Sequence, residues 1–264
     1  MVRVVLRATA MGMVAFIGLV ILLAIRLIER PVFKDRRPWS PFITQAVCRI
    51  ALFIVGLRVI VHGKPAAGAT ISNHVSWLDI FVLNGIERVY FVAKAEVAGW
   101  AFIGWLARAT GTLFIERKST EAKVHQQALE QRLASGHPLL FFPEGTSSDG
   151  MRVLPFKSTL FAAFFHLGPK GTHSVQPVSL IYHAPVGQDP RFYGWWGDAD
   201  FATSFRDVLA QSPQGWVEVI YHPALNVRDF RDRKSLAAAC EAAIRAGHPQ
   251  GHMSEDQPKG AMSA

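Results

Sequence analysis

From Ala8 to Ile25 the chain reads ATAMGMVAFIGLVILLAI, eighteen residues without a charge, set between Arg3 and Arg7 on one side and Arg26 and Arg30 on the other. That length suits a membrane segment. The residues that follow, Arg-Leu-Ile-Glu-Arg-Pro, lack the small-residue cleavage site of a signal peptide, so the segment is expected to stay on the chain. A buried helix of a soluble domain is the alternative. A second apolar stretch, Phe42 to Ile60, carries Arg49 and Arg58 and is interrupted by Thr44 and Gln45. Those polar positions favour a buried or interfacial amphipathic helix over a second span. Basic residues flank both ends of the first run, so charge gives no orientation. A hairpin dipping into the cytoplasmic leaflet fits as well as a crossing.

After Gly63 short apolar runs alternate with longer helical ones. The pattern predicts strands at Arg58 to His62, Ala69 to Ser72, Val89 to Ala93, Thr112 to Glu116, Pro138 to Phe142, Val175 to Tyr182 and Trp216 to His222. It predicts helices at Trp77 to Gly85, Ala95 to Ala109, Thr120 to Ser135, Lys157 to Gly168 and Ser235 to Ala246. Gly136 and Pro138 punctuate the end of the third helix. The alternation predicts an α/β fold, a central mostly parallel sheet flanked by helices, with an N-terminal membrane-associated helical segment. The division that follows is residues 1–60 for the membrane-associated helices, 61–250 for the catalytic-type domain and 251–264 for a flexible tail.

Composition agrees with one large core, since 264 residues are half apolar. Twenty-eight Lys and Arg against twenty Asp and Glu give a formal charge of +8, which favours an anionic partner. With an apolar anchor present, anionic lipid headgroups account for that charge. No basic patch interleaved with aromatics points to nucleic acid. Two cysteines, Cys48 and Cys240, both in apolar surroundings, supply neither a disulfide framework nor a metal site, and the ten histidines show no ligand spacing. No metal or cofactor is expected.

Two stretches carry candidate chemistry. In Ile71-Ser-Asn-His-Val-Ser-Trp-Leu-Asp-Ile80, His74 and Asp79 lie five residues apart. On a regular helix five residues turn about 140 degrees, so the two side chains would not share a face. They meet if His74 sits in the loop after a strand and a helix begins between the two, with Ser72, Asn73 and Ser76 as capping residues. The carboxylate would then hold one imidazole nitrogen and leave the other to take a proton. Taken alone, the pair reads equally as a helix start, with Asp79 favoured by the helix dipole. In Leu140-Phe-Phe-Pro-Glu-Gly-Thr-Ser-Ser-Asp-Gly150 a buried strand runs into a polar loop, the usual ligand position of an open α/β sheet. There Glu144 offers a carboxylate, Thr146 a hydroxyl, and Gly145 close backbone approach.

Together, NHVSWLD and FPEGTSS about seventy residues later resemble the NHxxxxD and FPEGTxS motifs of the glycerolipid acyltransferases, the family that includes the 1-acylglycerol-3-phosphate acyltransferases. Thr112-Leu-Phe-Ile-Glu-Arg117 is similar to the family's second motif and Val175-Gln-Pro-Val-Ser179 to its fourth, and the likeness covers roughly Gly63 to Tyr221. The resemblance implies a lysolipid hydroxyl as acceptor and a fatty acyl thioester, on acyl carrier protein or coenzyme A, as donor and co-substrate. It implies His74 as general base, Asp79 as the residue that orients it, and Arg117 as an anion clamp. Glu144, Gly145 and Thr146 would complete the acceptor site. Lys94, after a predicted strand, is the expected cation for the developing oxyanion, with a solvated surface lysine as the alternative. Trp100, Phe102, Trp105 and Leu106 would line an acyl groove or touch the bilayer, or simply pack in the core. The implied location is the inner membrane, with the active domain facing the cytoplasm.

One position departs from the pattern. Many lysophosphatidate acyltransferases carry an arginine directly after the EGT of the third motif, and here Ser147 stands in that place. The segment through Lys157 and the later Tyr193-Gly-Trp-Trp-Gly-Asp198 resemble the branch that includes lyso-ornithine lipid acyltransferases, whose acceptor hydroxyl belongs to a 3-hydroxyacyl chain. Lysophosphatidate is the first expected acceptor, as the family's commonest, and lyso-ornithine lipid the second. A non-catalytic membrane lipid-binding protein would not need the dyad. A serine hydrolase would need a nucleophile elbow, and no GxSxG occurs.

Overall fold

The computed structural model describes residues 1–34, 36–100, 103–115, 122–166 and 174–249. The chain opens with two helices, α1 (Val2–Phe33) and α2 (Ser40–Val55). Then come β1 (Arg58–His62), β2 (Ala69–Ser72), α3 (Asp79–Ile86), β3 (Tyr90–Lys94), α4 (Ile103–Thr110), β4 (Leu113–Ile115), α5 (Ala122–Ala134) and β5 (Leu139–Phe141). The last third holds α6 (Ala162–Phe165), β6 (Ser174–His183), α7 (Phe201–Ala210), β7 (Trp216–Tyr221), β8 (Leu225–Asn226) and α8 (Arg233–Gly247).

The strands form one sheet in the order β1-β7-β6-β2-β5-β3-β4, with β8 paired to β6. All neighbours run parallel except β6 with β7 and β6 with β8. The central strands are buried on both faces, as a parallel sheet covered by helices requires, and Ala69, Thr70, Ile71 and Ser72 are all buried. One face packs Leu140, Leu180 and Val219 against Leu52, Val82 and Leu209 of α2, α3 and α7. The other packs Ile71, Phe141 and Val175 against Leu133, Phe164 and Ile244 of α5, α6 and α8. The mostly parallel α/β sheet read from the sequence is therefore what the chain builds.

The two N-terminal helices are docked, not loose. Gly18 of α1 meets the Val47 side chain so closely that no Cβ would fit between them. Buried Glu29 caps α2 from α1, accepting the backbone N–H groups of Trp39 at 2.6 Å and Ser40 at 2.8 Å, a favourable place for a negative charge. The polar residues that interrupt the second apolar stretch also have partners. Gln45 donates to the Ile86 carbonyl at 2.9 Å and Arg49 to the Gly85 carbonyl at 2.6 Å, so α2 caps the C-terminal end of α3. Away from these contacts α1 is open. Only 22 % of its most apolar eighteen-residue window is buried, with Phe16, Ile17, Val20, Leu27 and Ile28 exposed. It is long and apolar enough to cross a membrane.

Three helices differ from the sequence expectation. The expected helix over Ala95 to Ala109 is a 3-10 turn at Ala95–Gly99 followed by α4, the glycine being a poor helix former at the break. Among the described residues only Ala162–Phe165 of the expected Lys157 to Gly168 helix is α-helical; the turns before it close by tighter bonds three residues apart, from the Phe161 N–H to the Ser158 carbonyl at 3.2 Å and from the Ala162 N–H to the Thr159 carbonyl at 3.3 Å. The pattern gave no helix at α7, although Asp200 caps it by accepting from the Thr203 N–H at 2.8 Å and Phe201, Phe205, Val208 and Leu209 share its apolar stripe. The expected starts and ends at Thr120 and Gly168, and the tail 251–264, lie outside the described residues.

Candidate active site

The parallel order β2-β5-β3 puts the C-terminal ends of three neighbouring strands on one edge of the sheet. His74 follows β2, Glu144 follows β5, and Lys94 closes β3 with a half-buried side chain. That edge is where an open α/β sheet exposes its loops to ligands. Arg117 lies outside the described residues, as does Phe102.

His74 and Asp79 meet. The imidazole Nδ1 lies 2.7 Å from Asp79 Oδ2. A carboxylate only accepts, so Nδ1 carries the hydrogen and the Nε2 lone pair is left to take a proton. The same Oδ2 accepts the backbone N–H groups of Val75 at 2.8 Å and Ser76 at 3.0 Å, while Oδ1 accepts the Tyr182 hydroxyl at 2.7 Å. Asp79 is fully buried with four donors around it. It is thus the latch of the His74 loop as well as the imidazole's partner. The Phe142 ring stacks on the imidazole at 4.2 Å and 12 degrees, which holds the plane of the His74 ring.

The helix does begin between the two residues, but not through the expected caps. Leu78 holds the N-cap position of α3 with no side-chain capping bond. Asn73 instead reaches across to β6, donating from Nδ2 to the Leu180 carbonyl at 2.9 Å and accepting from the Leu180 N–H at 2.8 Å. Ser76 Oγ accepts only from the Leu78 N–H at 3.3 Å. The loop geometry therefore comes from a buried amide and a buried carboxylate.

Tyr182 was not visible as a site residue in the sequence. The signal was its place at the end of a predicted strand, on the core-facing side with Val178 and Leu180, where a buried phenol needs a partner. Burial first, and then the Asp79 charge, pushes its hydroxyl well above the usual tyrosine range, so it stays a donor.

The second motif loop is tied to the first. The Ser148 N–H donates to the His74 carbonyl at 2.8 Å, and Gly145 turns the chain at φ 71°, a left-handed value that favours glycine. Thr146 is exposed. Glu144 is 2 % exposed, and neither carboxyl oxygen has a well-formed hydrogen bond among the described residues. Burial pushes its pKa up to about 8, and the nearby backbone groups of Leu154 and His74 offset only part of that cost. Burial thus favours the protonated form of Glu144 around neutral pH.

A stability consequence follows, with its sign set by linkage. The folded chain keeps the Glu144 proton from pH 4.5 to about 8, where the unfolded chain has lost it. This contribution is complete below the lower value and disappears as the pH rises through the upper one. Glu144→Gln is expected to lack that decline. Denaturant unfolding at pH 5 and pH 9 should show the wild type losing roughly 1–3 kcal/mol more than the variant across the window. Equal losses in the two proteins would refute the buried, protonated Glu144.

Trp100 is 43 % and Trp105 53 % exposed and Leu106 is partly buried, so none of the three is a fully buried core residue. Cys240 is buried, its thiol pushed up to about 12 by desolvation, and Cys48 is buried as well, which removes both as nucleophiles.

Comparison with known proteins agrees with this geometry. Residues 58–181 match the sequence model of the Acyltransferase family. A lyso-ornithine lipid O-acyltransferase from Rhodobacter capsulatus is 57 % identical over 94 % of this chain and 91 % of its own. A 1-acyl-sn-glycerol-3-phosphate acyltransferase from Neisseria gonorrhoeae is 35 % identical over 75 % of this chain and 76 % of its own. The crystal structure of the 1-acyl-sn-glycerophosphate acyltransferase from Thermotoga maritima superposes with a TM-score of 0.65 at 21 % identity, over 98 % of this chain and 99 % of that one, a likeness of fold.

Proposed function

The chain belongs to the lysolipid acyltransferase family, and on that premise we propose that its acceptor is a lyso-ornithine lipid, acylated at the hydroxyl of its 3-hydroxyacyl chain. It is an acyltransferase that acts on lysolipids. The supporting observation is the His74–Asp79 dyad under the Phe142 ring, which presents a proton acceptor within apolar surroundings. A hydroxyl flanked by hydrocarbon suits such a place. The Rhodobacter capsulatus relative, 57 % identical over 94 % of this chain, supports the same acceptor. Lysophosphatidate is the second reading, favoured by the Neisseria gonorrhoeae relative.

The reaction then needs one base and no covalent intermediate. As the acceptor oxygen attacks the thioester carbonyl, its proton passes to His74 Nε2, and Asp79 stabilises the imidazolium that forms. The tetrahedral intermediate collapses, the carbon–sulfur bond breaks, and the thiolate leaves with the proton from His74. Glu144, buried beneath its turn, shapes the acceptor site beside the dyad, with Gly145 and Thr146 lining the same turn. Lys94 and Arg117 serve the anionic groups of the donor or acceptor. The donor is an acyl thioester of acyl carrier protein or coenzyme A. The exposed apolar face of α1 lies in the inner membrane, with the sheet domain at its cytoplasmic side and the positive charge of the chain on anionic lipid.

The test supplies purified protein in detergent with acyl carrier protein-bound and coenzyme A-bound acyl chains, and offers each lysolipid in turn. Ornithine lipid is the expected main product. Phosphatidic acid as the main product would overturn the acceptor, and the better donor identifies the carrier.

A further inference from the structure

The segment from Phe192 to Ala199, which takes no part in the dyad, is bound to both motif loops. The Trp195 N–H donates to the Val75 carbonyl at 2.9 Å, and Val75 in turn gives its own N–H to Asp79. The Ser147 hydroxyl donates to the Trp195 carbonyl. Gly194 is pressed against the second loop, where an added Cβ would lie 2.8 Å from the Asp149 carbonyl oxygen and 2.9 Å from the Trp196 ring. The segment also fixes its own shape, since Trp195 Nε1 donates to the Ala199 carbonyl at 2.8 Å. The indole of Trp195 is held edge-on between Trp100 at 6.0 Å and Phe201 at 5.8 Å. The Trp195 backbone is thereby tied to Val75, next in the chain to His74, and to Ser147, three residues past Glu144.

We infer that Phe192 to Ala199 is a strap that selects the acceptor, and that Ser147 is the positioning residue that anchors it. The serine hydroxyl is spent on the strap and does not face substrate. The Ser147 hydroxyl lies in contact with the Trp195 carbonyl, so a longer side chain that kept the serine's rotamer would push against that carbonyl. Residue 147 and the tryptophan wall are therefore one device. With serine the strap lies down, and an apolar wall flanks the reacting hydroxyl. When the anchor is lost the wall is free to lift, and an acceptor with a charged group close to its hydroxyl gains access. The direction of selectivity rests on the acceptor reading above; the coupling between Ser147 and selectivity does not.

The experiment measures kcat and KM for lyso-ornithine lipid and for lysophosphatidate in the wild type, Ser147→Ala, Ser147→Thr and Trp195→Ala, with unfolding midpoints recorded alongside. Ser147→Ala is expected to raise KM for lyso-ornithine lipid about tenfold, with a smaller change in kcat, the loss of one anchoring hydrogen bond and its packing being worth that factor. The ratio of kcat/KM between the two acceptors should shift at least fivefold toward lysophosphatidate. Ser147→Thr, which keeps the hydroxyl, should restore the wild-type ratio, and Trp195→Ala should shift it in the same direction as Ser147→Ala. A purely structural serine would lower kcat for both acceptors together and leave the ratio unmoved, which overturns the strap. A wild type that prefers lysophosphatidate overturns the acceptor reading instead, while a shifted ratio in Ser147→Ala would still support the strap.

Discussion

His74→Ala is expected to lose roughly 10³-fold in kcat, the usual contribution of a positioned general base, while remaining folded. Among the described residues the imidazole has a hydrogen bond to Asp79 and a stacked neighbour in Phe142, and its side chain is 19 % exposed. Losing those contacts should cost about 1 kcal/mol, which lowers Tm by only about 2–4 °C in a chain of this size. Activity and stability should thus separate. An active His74→Ala enzyme, or one inactive only because it is unfolded, would remove the assignment of the base.

Asp79 gives the second large effect, and two substitutions divide its roles. In Asp79→Asn the amide oxygen can take the place of Oδ2 and keep the His74, Val75 and Ser76 donors, while the amide nitrogen donates to a rotated Tyr182 hydroxyl. The fold should survive, with kcat down by about 10² or more, because the charge that stabilises the imidazolium is gone. Asp79→Ala orphans four donors at once, three of them buried. It should destabilise the protein by roughly 3 kcal/mol or more and abolish turnover. Thermal unfolding and initial rates of both variants test this. Equal stabilities would show that Asp79 does not latch the loop, and full activity in Asp79→Asn would show that its charge is not needed.

Much of this site can be read from local sequence. The strand at Ala69 to Ser72, the loop at His74 and the start of a helix before Asp79 follow from pattern and turn chemistry within ten residues. The polar loop after Phe141 follows in the same way. The ties that give these loops their geometry cannot be read so. Tyr182 is 103 residues from Asp79, Leu180 is 107 from Asn73, and Trp195 is 48 from Ser147. These pairs meet only because β6 lies beside β2 and the chain returns over the sheet edge, and no periodicity records which strands become neighbours. The capping role expected of Asn73 failed for this reason, since a partner on β6 outcompeted the local helix start. The helix at Phe201–Ala210 was legible through Asp200 and its apolar stripe, but its ten residues sit in a stretch otherwise broken by turns. Ser147 was visible as a departure from the family motif, whereas the strap that fills its place was not.

Direct acyl transfer through His74, without an acyl-enzyme, is the central claim. The arrangement of nucleophiles supports it: both cysteines are buried, Ser76 is fully buried, and the Ser147 hydroxyl is spent on the Trp195 carbonyl. The most direct measurement is a time-resolved mass spectrum of the intact protein and the lipids together, after mixing with acyl thioester and lyso-ornithine lipid. The account predicts ornithine lipid accumulating while the protein mass stays unchanged, with no adduct when the acceptor is left out. A stoichiometric acyl adduct that forms on thioester alone and is discharged by the lysolipid would contradict it.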